Sequence, residues 1–311
     1  MDTQSQFIQF ARKLAIFALI LVILDQSIGI GARQLYFSQE TGRYARLNHL
    51  LYETEAELIV MGSSHALRHY DTEILEDNLK MDVYNGGIQG QFILFQEAVL
   101  EMLVERHAPK HMVLNVAPDF FVYQPTTYER LGELKPYYYK HQETLKPFMK
   151  LKSIFEPFKM FSKLYQYNST IAHIFRYLAS PQPDVEGYVK LEGEIPPLAE
   201  GTRIYPQEHM DMDSVAIAAF DQFIKTAKEH EINLILVASP VVTGEDVDAL
   251  KAYQLLKQQA IFHGVPLLDY SKDPTYTHQY HLFHDGNHLN TEGAKLFSAQ
   301  VAEGIKPFLQ N

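Results

Sequence analysis

The chain has 311 residues, 27 Lys+Arg against 38 Asp+Glu, a net charge of −11, and 46% hydrophobic with 21% charged residues. That is enough length and apolar content for a sizeable buried core, and too little polarity for a disordered chain. The acidic balance argues against general nucleic-acid binding, and the absence of Cys excludes disulfides, a thiol nucleophile and cysteine-ligated zinc or iron–sulfur sites.

At the N-terminus Arg12 and Lys13 precede an unbroken apolar run, Leu14–Leu24, which Asp25 ends. Eleven residues are short for a span of roughly 20, but continuing through Gly31 brings the stretch close to that length. Three readings compete. A signal-anchor helix needs Asp25 near an interface; a cleaved signal peptide would end at Gly29-Ile30-Gly31; a core helix would normally carry a polar stripe, which Leu14–Leu24 lacks. The anchor is favoured over cleavage, with the lipid bilayer as its partner. Arg12 and Lys13 point to an extracytoplasmic body, although Arg33, Arg43 and Arg46 follow. On this reading residues 1–36 are the signal-anchor segment and 37–311 one α/β/α domain.

Beyond Tyr36, short apolar runs alternate with longer amphipathic stretches, the pattern of a parallel α/β domain. Strands are expected at Glu57–Met61, Asp82–Tyr84, His111–Val116, Ile232–Ala238 and Val265–Tyr270. Helices are expected at Phe92–Arg106, Asp213–His230, Gly244–His263 and Thr291–Gly304, the last with Asn290 as N-cap. Residues at about 120–210 break the alternation and read as a helical insertion. Of the chain's 38 Phe and Tyr, 15 fall in 120–177, and residues 135–180 carry eight Lys/Arg against Glu143 and Glu156. Such a segment is either a core of aromatics under solvated lysines, or a lid facing anionic headgroups, a polymer or a membrane partner.

In an open parallel sheet, ligands bind beyond the carboxyl ends of the strands. The first strand runs into Gly62-Ser63-Ser64, where a tight turn can present a serine nucleophile, although Ser-Ser is equally a routine N-cap. After the second strand comes Asn85-Gly86-Gly87-Ile88-Gln89-Gly90, which lacks the order of a dinucleotide loop. After the third comes Ala117-Pro118-Asp119. Near the C-terminus, Asp285 and His288 lie three apart, a spacing that lets a carboxylate orient an imidazole as a serine's general base. A metal site built from His281, His284, Asp285 and His288 is the alternative, but the spacing matches no standard site.

Taken together and in this order, these blocks resemble the SGNH (GDSL-type) hydrolase superfamily, over about residues 57–305 without the insertion. The nucleophile elbow of α/β-hydrolases is half-matched, but its acid and base usually lie farther apart. The SGNH resemblance implies a three-layer α/β/α sandwich with a parallel five-stranded, flavodoxin-like sheet. It implies Ser64 as nucleophile, Asp285 and His288 as its partners, and an oxyanion hole from Ser64, Gly90 and Asp119, with no metal and no cofactor. Asp119 departs from the family's asparagine: an ionised carboxylate cannot donate a hydrogen bond, so it would have to be protonated, or Asn115 or Asn85 would have to substitute.

The single anchor makes the chain similar to bacterial cell-envelope members, the DltD-like and alginate-acetylation proteins. The expectation is an esterase or O-acyltransferase acting on an acylated glycan or envelope polymer, beside a membrane acyltransferase partner and without nucleic acid. The competing class is a non-catalytic binding or assembly factor on the same fold.

Overall fold

The computed structural model of the chain describes residues 3–205 and 211–309; positions 206–210, at the end of the expected insertion, lie outside the described residues. Five strands form one parallel sheet: β1 (Leu58–Met61), β2 (Val83–Asn85), β3 (His111–Val116), β4 (Asn233–Ala238) and β5 (Leu267–Asp269). Their order is β2-β1-β3-β4-β5, the flavodoxin-like arrangement. Every β1 and β3 residue is buried, as expected of central strands covered on both faces, which is why LIVM and HMVLNV read as near-continuous apolar runs.

In chain order the helices are α1 (Thr3–Phe37), α2 (Gly42–Tyr52), α3 (Ser64–His69), α4 (Thr72–Leu79), α5 (Ile93–Val104) and α6 (Pro125–Arg130). The insertion continues with α7 (Gln142–Lys152), α8 (Glu156–Lys159), α9 (Lys163–Tyr167) and α10 (Ile171–Ala179). The domain closes with α11 (Ser214–Glu229), α12 (Lys251–His263) and α13 (Thr291–Ile305). Leu58 and Val60 of β1 share a core with Phe297, Val301 and Ile305 of α13. Side chains alternate along a strand, so Ile59 and Met61 face the opposite layer. In the two helical layers α4 packs on α13, and α5 on α11.

β3 has the expected bounds, and the other strands start or stop within two residues of theirs. Asn290 caps α13, its side chain accepting from the Gly293 N–H at 3.0 Å. The helix expected from Gly244 begins only at Lys251. Gly244 has φ +60°, and the Glu245 carboxylate accepts from Ile204 N–H at 2.7 Å and Thr243 Oγ1–H at 3.0 Å. The first turn is thereby spent as a loop. Helices α2, α3 and α4 were not foreseen.

By contacts the chain divides into two compact units: Met1–Glu40 with Leu131–Pro181, and Thr41–Arg130 with Gln182–Asn311. The sheet lies in the second. The expected insertion is thus split: 131–181, with α7 to α10, falls in the first unit, while 120–130, with α6, and the return, 182–205, fall in the second. In the first unit α1 is long and apolar enough to cross a membrane, a property that a signal sequence shares. Its residues 3–24 are exposed, and side-chain cover begins at Asp25. There Asp25 accepts from the Ser162 hydroxyl and, at 3.0 Å, from Lys163 N–H. A Cβ on Gly29 would stand 2.4 Å from that of Lys163, so glycine is what lets α9 lie against α1.

Candidate active site

The site is built at the carboxyl ends of β1, β2 and β3. β1 delivers the chain into Gly62, whose φ of +144° and 2.9 Å clearance from Ala66 Cβ admit no side chain. Its carbonyl accepts from Ile88 N–H at 3.0 Å and from Gln96 Nε2–H at 2.8 Å, which fixes the turn. Ser64 then opens α3 with its N–H in the first turn, where no intrahelical acceptor exists.

From the loop before α13, His288 reaches Ser64. The Ser64 Oγ to His288 Nε2 distance is 2.7 Å, and His288 Nδ1 lies 2.9 Å from Asp285 Oδ2 and 3.0 Å from Oδ1. With a carboxylate accepting the Nδ1 proton, Nε2 is the acceptor for the Ser64 hydroxyl. Asp285 Oδ1 also accepts from Asn287 and His288 N–H, both at 2.8 Å. Burial alone would raise the Asp285 carboxyl, but the His288 hydrogen bond, these N–H groups and the imidazole's charge outweigh it and hold the carboxyl well below its usual range. The group that must stay ionised does so. An arrangement of this kind can move a proton from serine to imidazole while the oxygen attacks an acyl carbon.

The expected oxyanion donors fare differently. Gly90, at φ +75°, directs its N–H to Ser63 Oγ at 3.1 Å. An incoming oxyanion must therefore displace Ser63 to recruit that donor. Neither asparagine is free to help: Asn115 Nδ2 donates to Ser239 Oγ, Tyr70 OH and Val237 O (2.6, 2.8 and 3.1 Å). Asn85 Nδ2 donates to Ala66 O and Tyr70 O (2.7 and 3.0 Å), while its Oδ1 accepts from Gly87 N–H at 3.0 Å. Both are structural, contrary to the suggestion that one replaces the missing amide. Asp119 makes no side-chain hydrogen bond to Ser64, Gly90 or His288; burial raises its pKa, which favours the protonated, donating form.

Two further histidines went unnoticed in the sequence. His65 and His69, one turn apart on α3, stack at 4.7 Å, and both rings approach His288 edge-on. Burial pushes His65 down to about 4 and His69 well below its ordinary value, so both are neutral near pH 7. His65 Nε2–H donates to Asn287 Oδ1 at 2.9 Å, and His69 Nε2 accepts from Leu289 N–H at 3.1 Å. They hold the 285–289 loop from beneath. The only sequence signal is the i, i+4 spacing directly after Ser64.

From outside, the return segment 182–205 straps the same loop. Leu191 O accepts from Thr291 N–H at 2.8 Å, Phe283 O from Ile195 N–H at 2.9 Å, and Gly193 O from Asn290 Nδ2–H at 3.0 Å. His284 Nδ1 is tied to Glu192 O at 2.6 Å, and the His281 carbonyl accepts from Asn290 Nδ2–H at 2.8 Å. These two histidines thus brace the loop, and Asp285 and His288 alone of the four face Ser64.

No family model and no curated relative matches the chain. Among solved structures it is similar to a protein described as lipolytic, of the G-D-S-L family, from Desulfitobacterium hafniense: 12% identity, 79% of this chain and 97% of that one, TM-score 0.40. It is also similar to a protein described as an acylhydrolase from Bacteroides fragilis: 15%, 81% and 88%, TM-score 0.36. A third is an acetyl xylan esterase, AlAXEase: 11%, 80% and 99%, TM-score 0.39. Likenesses at this level carry no argument, and the fold rests here on the chain's own strand order.

Proposed function

We propose that the chain is an SGNH-type serine hydrolase or acyltransferase that passes through an acyl-Ser64 intermediate. The observation that carries this reading is the continuous Ser64–His288–Asp285 hydrogen-bonded line, drawn from residues 224 apart in sequence. Ser64 Oγ attacks the acyl carbon as its proton passes to His288 Nε2. The oxyanion is met by the Ser64 and Gly90 N–H groups, the latter released by Ser63, and by Asp119 when protonated. Collapse breaks the ester bond, and the alcohol leaves with the proton from His288. Water or a sugar hydroxyl then gives up its proton to His288 and takes the acyl group, and Ser64 Oγ leaves with that proton as free acid or a new ester is released.

The substrate we infer is an O-acylated cell-envelope polymer, with α1 as a single-pass membrane anchor and the body extracytoplasmic. A membrane acyltransferase is the natural partner for the transfer branch. Labelling with a serine-directed fluorophosphonate tests the intermediate: wild type is expected to label and Ser64→Ala not to. Folded wild-type protein that takes no Ser64-dependent label sinks the proposal. The Gly90 N–H already engaged by Ser63 favours a second reading, a polymer-binding assembly factor. That reading predicts polymer binding undiminished in Ser64→Ala and no label on wild type.

A further inference from the structure

The unit made of α1 and residues 131–181 contains a cavity of about 650 Å³, lined by Lys146, Lys150 and Lys163 together with Ile154, Phe158 and Phe161. Phe161 is 83% exposed, and Phe158 and Ile154 are each 69% exposed. Apolar side chains this open and this close together mark a surface meant for something other than water. In this region Lys159 pairs with Glu156 at 2.8 Å. Lys146, Lys150 and Lys163 have no carboxylate partner among the described residues.

The depth of this surface follows from α1. With Lys13 snorkelling from about 6 Å inside one edge, the helix reaches the other edge of a hydrocarbon core about 30 Å thick at Gly29. Seated that way, Asp25 lies about 6 Å below Gly29, in the outer part of the leaflet on the Arg33 side. A bare carboxylate there is costly. Asp25 is not bare: Ser162 Oγ–H and Lys163 N–H are bonded to it, and Gln26 Nε2–H donates to Phe161 O at 3.2 Å. Residues 161–163 must then lie at the same depth as Asp25. Exposed Phe158 and Phe161 would meet acyl chains, and the long lysine stems can carry their charges up to the phosphate level.

We propose that this unit is a second membrane-contacting element, in which Ile154, Phe158 and Phe161 enter the leaflet on the Arg33 side and the cavity holds the phosphate of an anionic phospholipid between Lys146, Lys150 and Lys163. The inference rests on α1 crossing the bilayer and is independent of the Ser64 chemistry.

The chain has no Trp, so a single introduced indole reports its own surroundings. Full-length Phe161→Trp and Phe262→Trp are reconstituted in phosphatidylcholine/phosphatidylglycerol vesicles containing lipids brominated at shallow or deep acyl positions. Phe262, 81% exposed on α12 in the other unit, is the control. Phe161→Trp is expected to be quenched, more by shallow than by deep bromines, and Phe262→Trp to be unquenched. Retention of spin-labelled phosphatidylglycerol over phosphatidylcholine is expected to fall about fivefold for each of Lys146→Gln and Lys150→Gln, the equivalent of about 1 kcal/mol per charge. Equal quenching of the two tryptophans in protein that survives an alkaline wash of the vesicles overturns the lipid contact. Unchanged lipid preference in the lysine variants overturns the phosphate site. Loss of the whole chain in the wash removes the anchor premise and the inference with it, while leaving fluorophosphonate labelling of Ser64 unaffected.

Discussion

Most phenylalanines of the two compact units differ in exposure. In the unit built on the sheet, Phe95, Phe121, Phe220, Phe223, Phe283 and Phe297 are fully buried and Phe262 alone is widely exposed. In the unit of α1 and residues 131–181, Phe155, Phe158, Phe161 and Phe175 are all more than half exposed. A buried Phe contributes roughly 1.5–3 kcal/mol, so the first unit has already used its aromatics for stability. The second buries Tyr36, Tyr137, Tyr167 and Phe148 in its own core but leaves these four phenylalanines uncovered. Polar groups follow suit: the side chains around Ser64 are tied into one hydrogen-bonded line, whereas Lys146, Lys150 and Lys163 of the aromatic unit have no carboxylate partner among the described residues.

The closed unit should be intolerant at its site. Asp285→Asn keeps the shape but removes the charge that sets the His288 tautomer, and a loss of about 10⁴ in kcat on an activated ester is expected. A loss under tenfold would remove Asp285 from its assigned role. Next in size is Asp119→Asn. In the wild type, Asp119 is protonated below its raised pKa and loses its donor as pH rises through that value. An amide donates at every pH, so kcat/KM should rise by up to about 10² in alkaline solution and little in acid. A pH-independent change, or none, would show that Asp119 takes no part in the oxyanion hole.

His69→Phe tests the support beneath the loop. Losing the acceptor for Leu289 N–H lets the Asp285–His288 turn shift, and about tenfold to 10² in kcat is expected with KM nearly constant. His69→Gln, which restores an acceptor, should recover most of it; failure of that rescue would reduce His69 to packing.

A smaller effect is expected from Glu97, on α5 within the sheet unit. Burial, with Glu101 nearby, raises its carboxyl to about 8 from an ordinary 4.5. A carboxyl whose folded pKa lies above its unfolded value keeps its proton in the fold after the unfolded chain has lost it, so stability falls as pH rises between the two values. Its contribution is therefore whole below about 4.5 and is lost as pH rises through about 8. Glu97→Gln should raise Tm by several degrees at alkaline pH and leave it unchanged in acid. An equal gain at both pH values would point to packing instead.

The parts legible in the sequence were those set by local pattern. His111–Val116 reads as a central strand because all six side chains are buried, and Asn290 reads as a cap because it precedes an amphipathic run. Ser64, Asp285 and His288 could be picked out because strand ends and turns gather such groups in a parallel sheet. What stayed hidden depends on partners far away in the chain. Asn85 and Asn115 looked available because their backbone and hydroxyl acceptors come from other strands and helices. Gly90 looked free because nothing local says that Ser63 would hold its N–H. The tolerance of Asp25 in an apolar helix depends on Ser162, 137 residues on.

The smallest expected effect belongs to the open unit, and it bears most directly on the contrast between the two. Phe158→Ser and Phe161→Ser remove side chains that bury little inside the protein, so Tm in detergent should move by no more than about 0.5 kcal/mol equivalent each. Turnover of a small soluble ester should stay within about twofold, since neither residue belongs to the unit that carries Ser64. If instead either substitution lowers Tm as a core Phe would, by about 3–5 kcal/mol equivalent, these aromatics stabilise the fold itself. The unit would then be an ordinary core, and the contrast with the sheet unit would collapse. Thermal melts of the full chain in detergent, with Phe223→Ser as the buried reference, decide between the two.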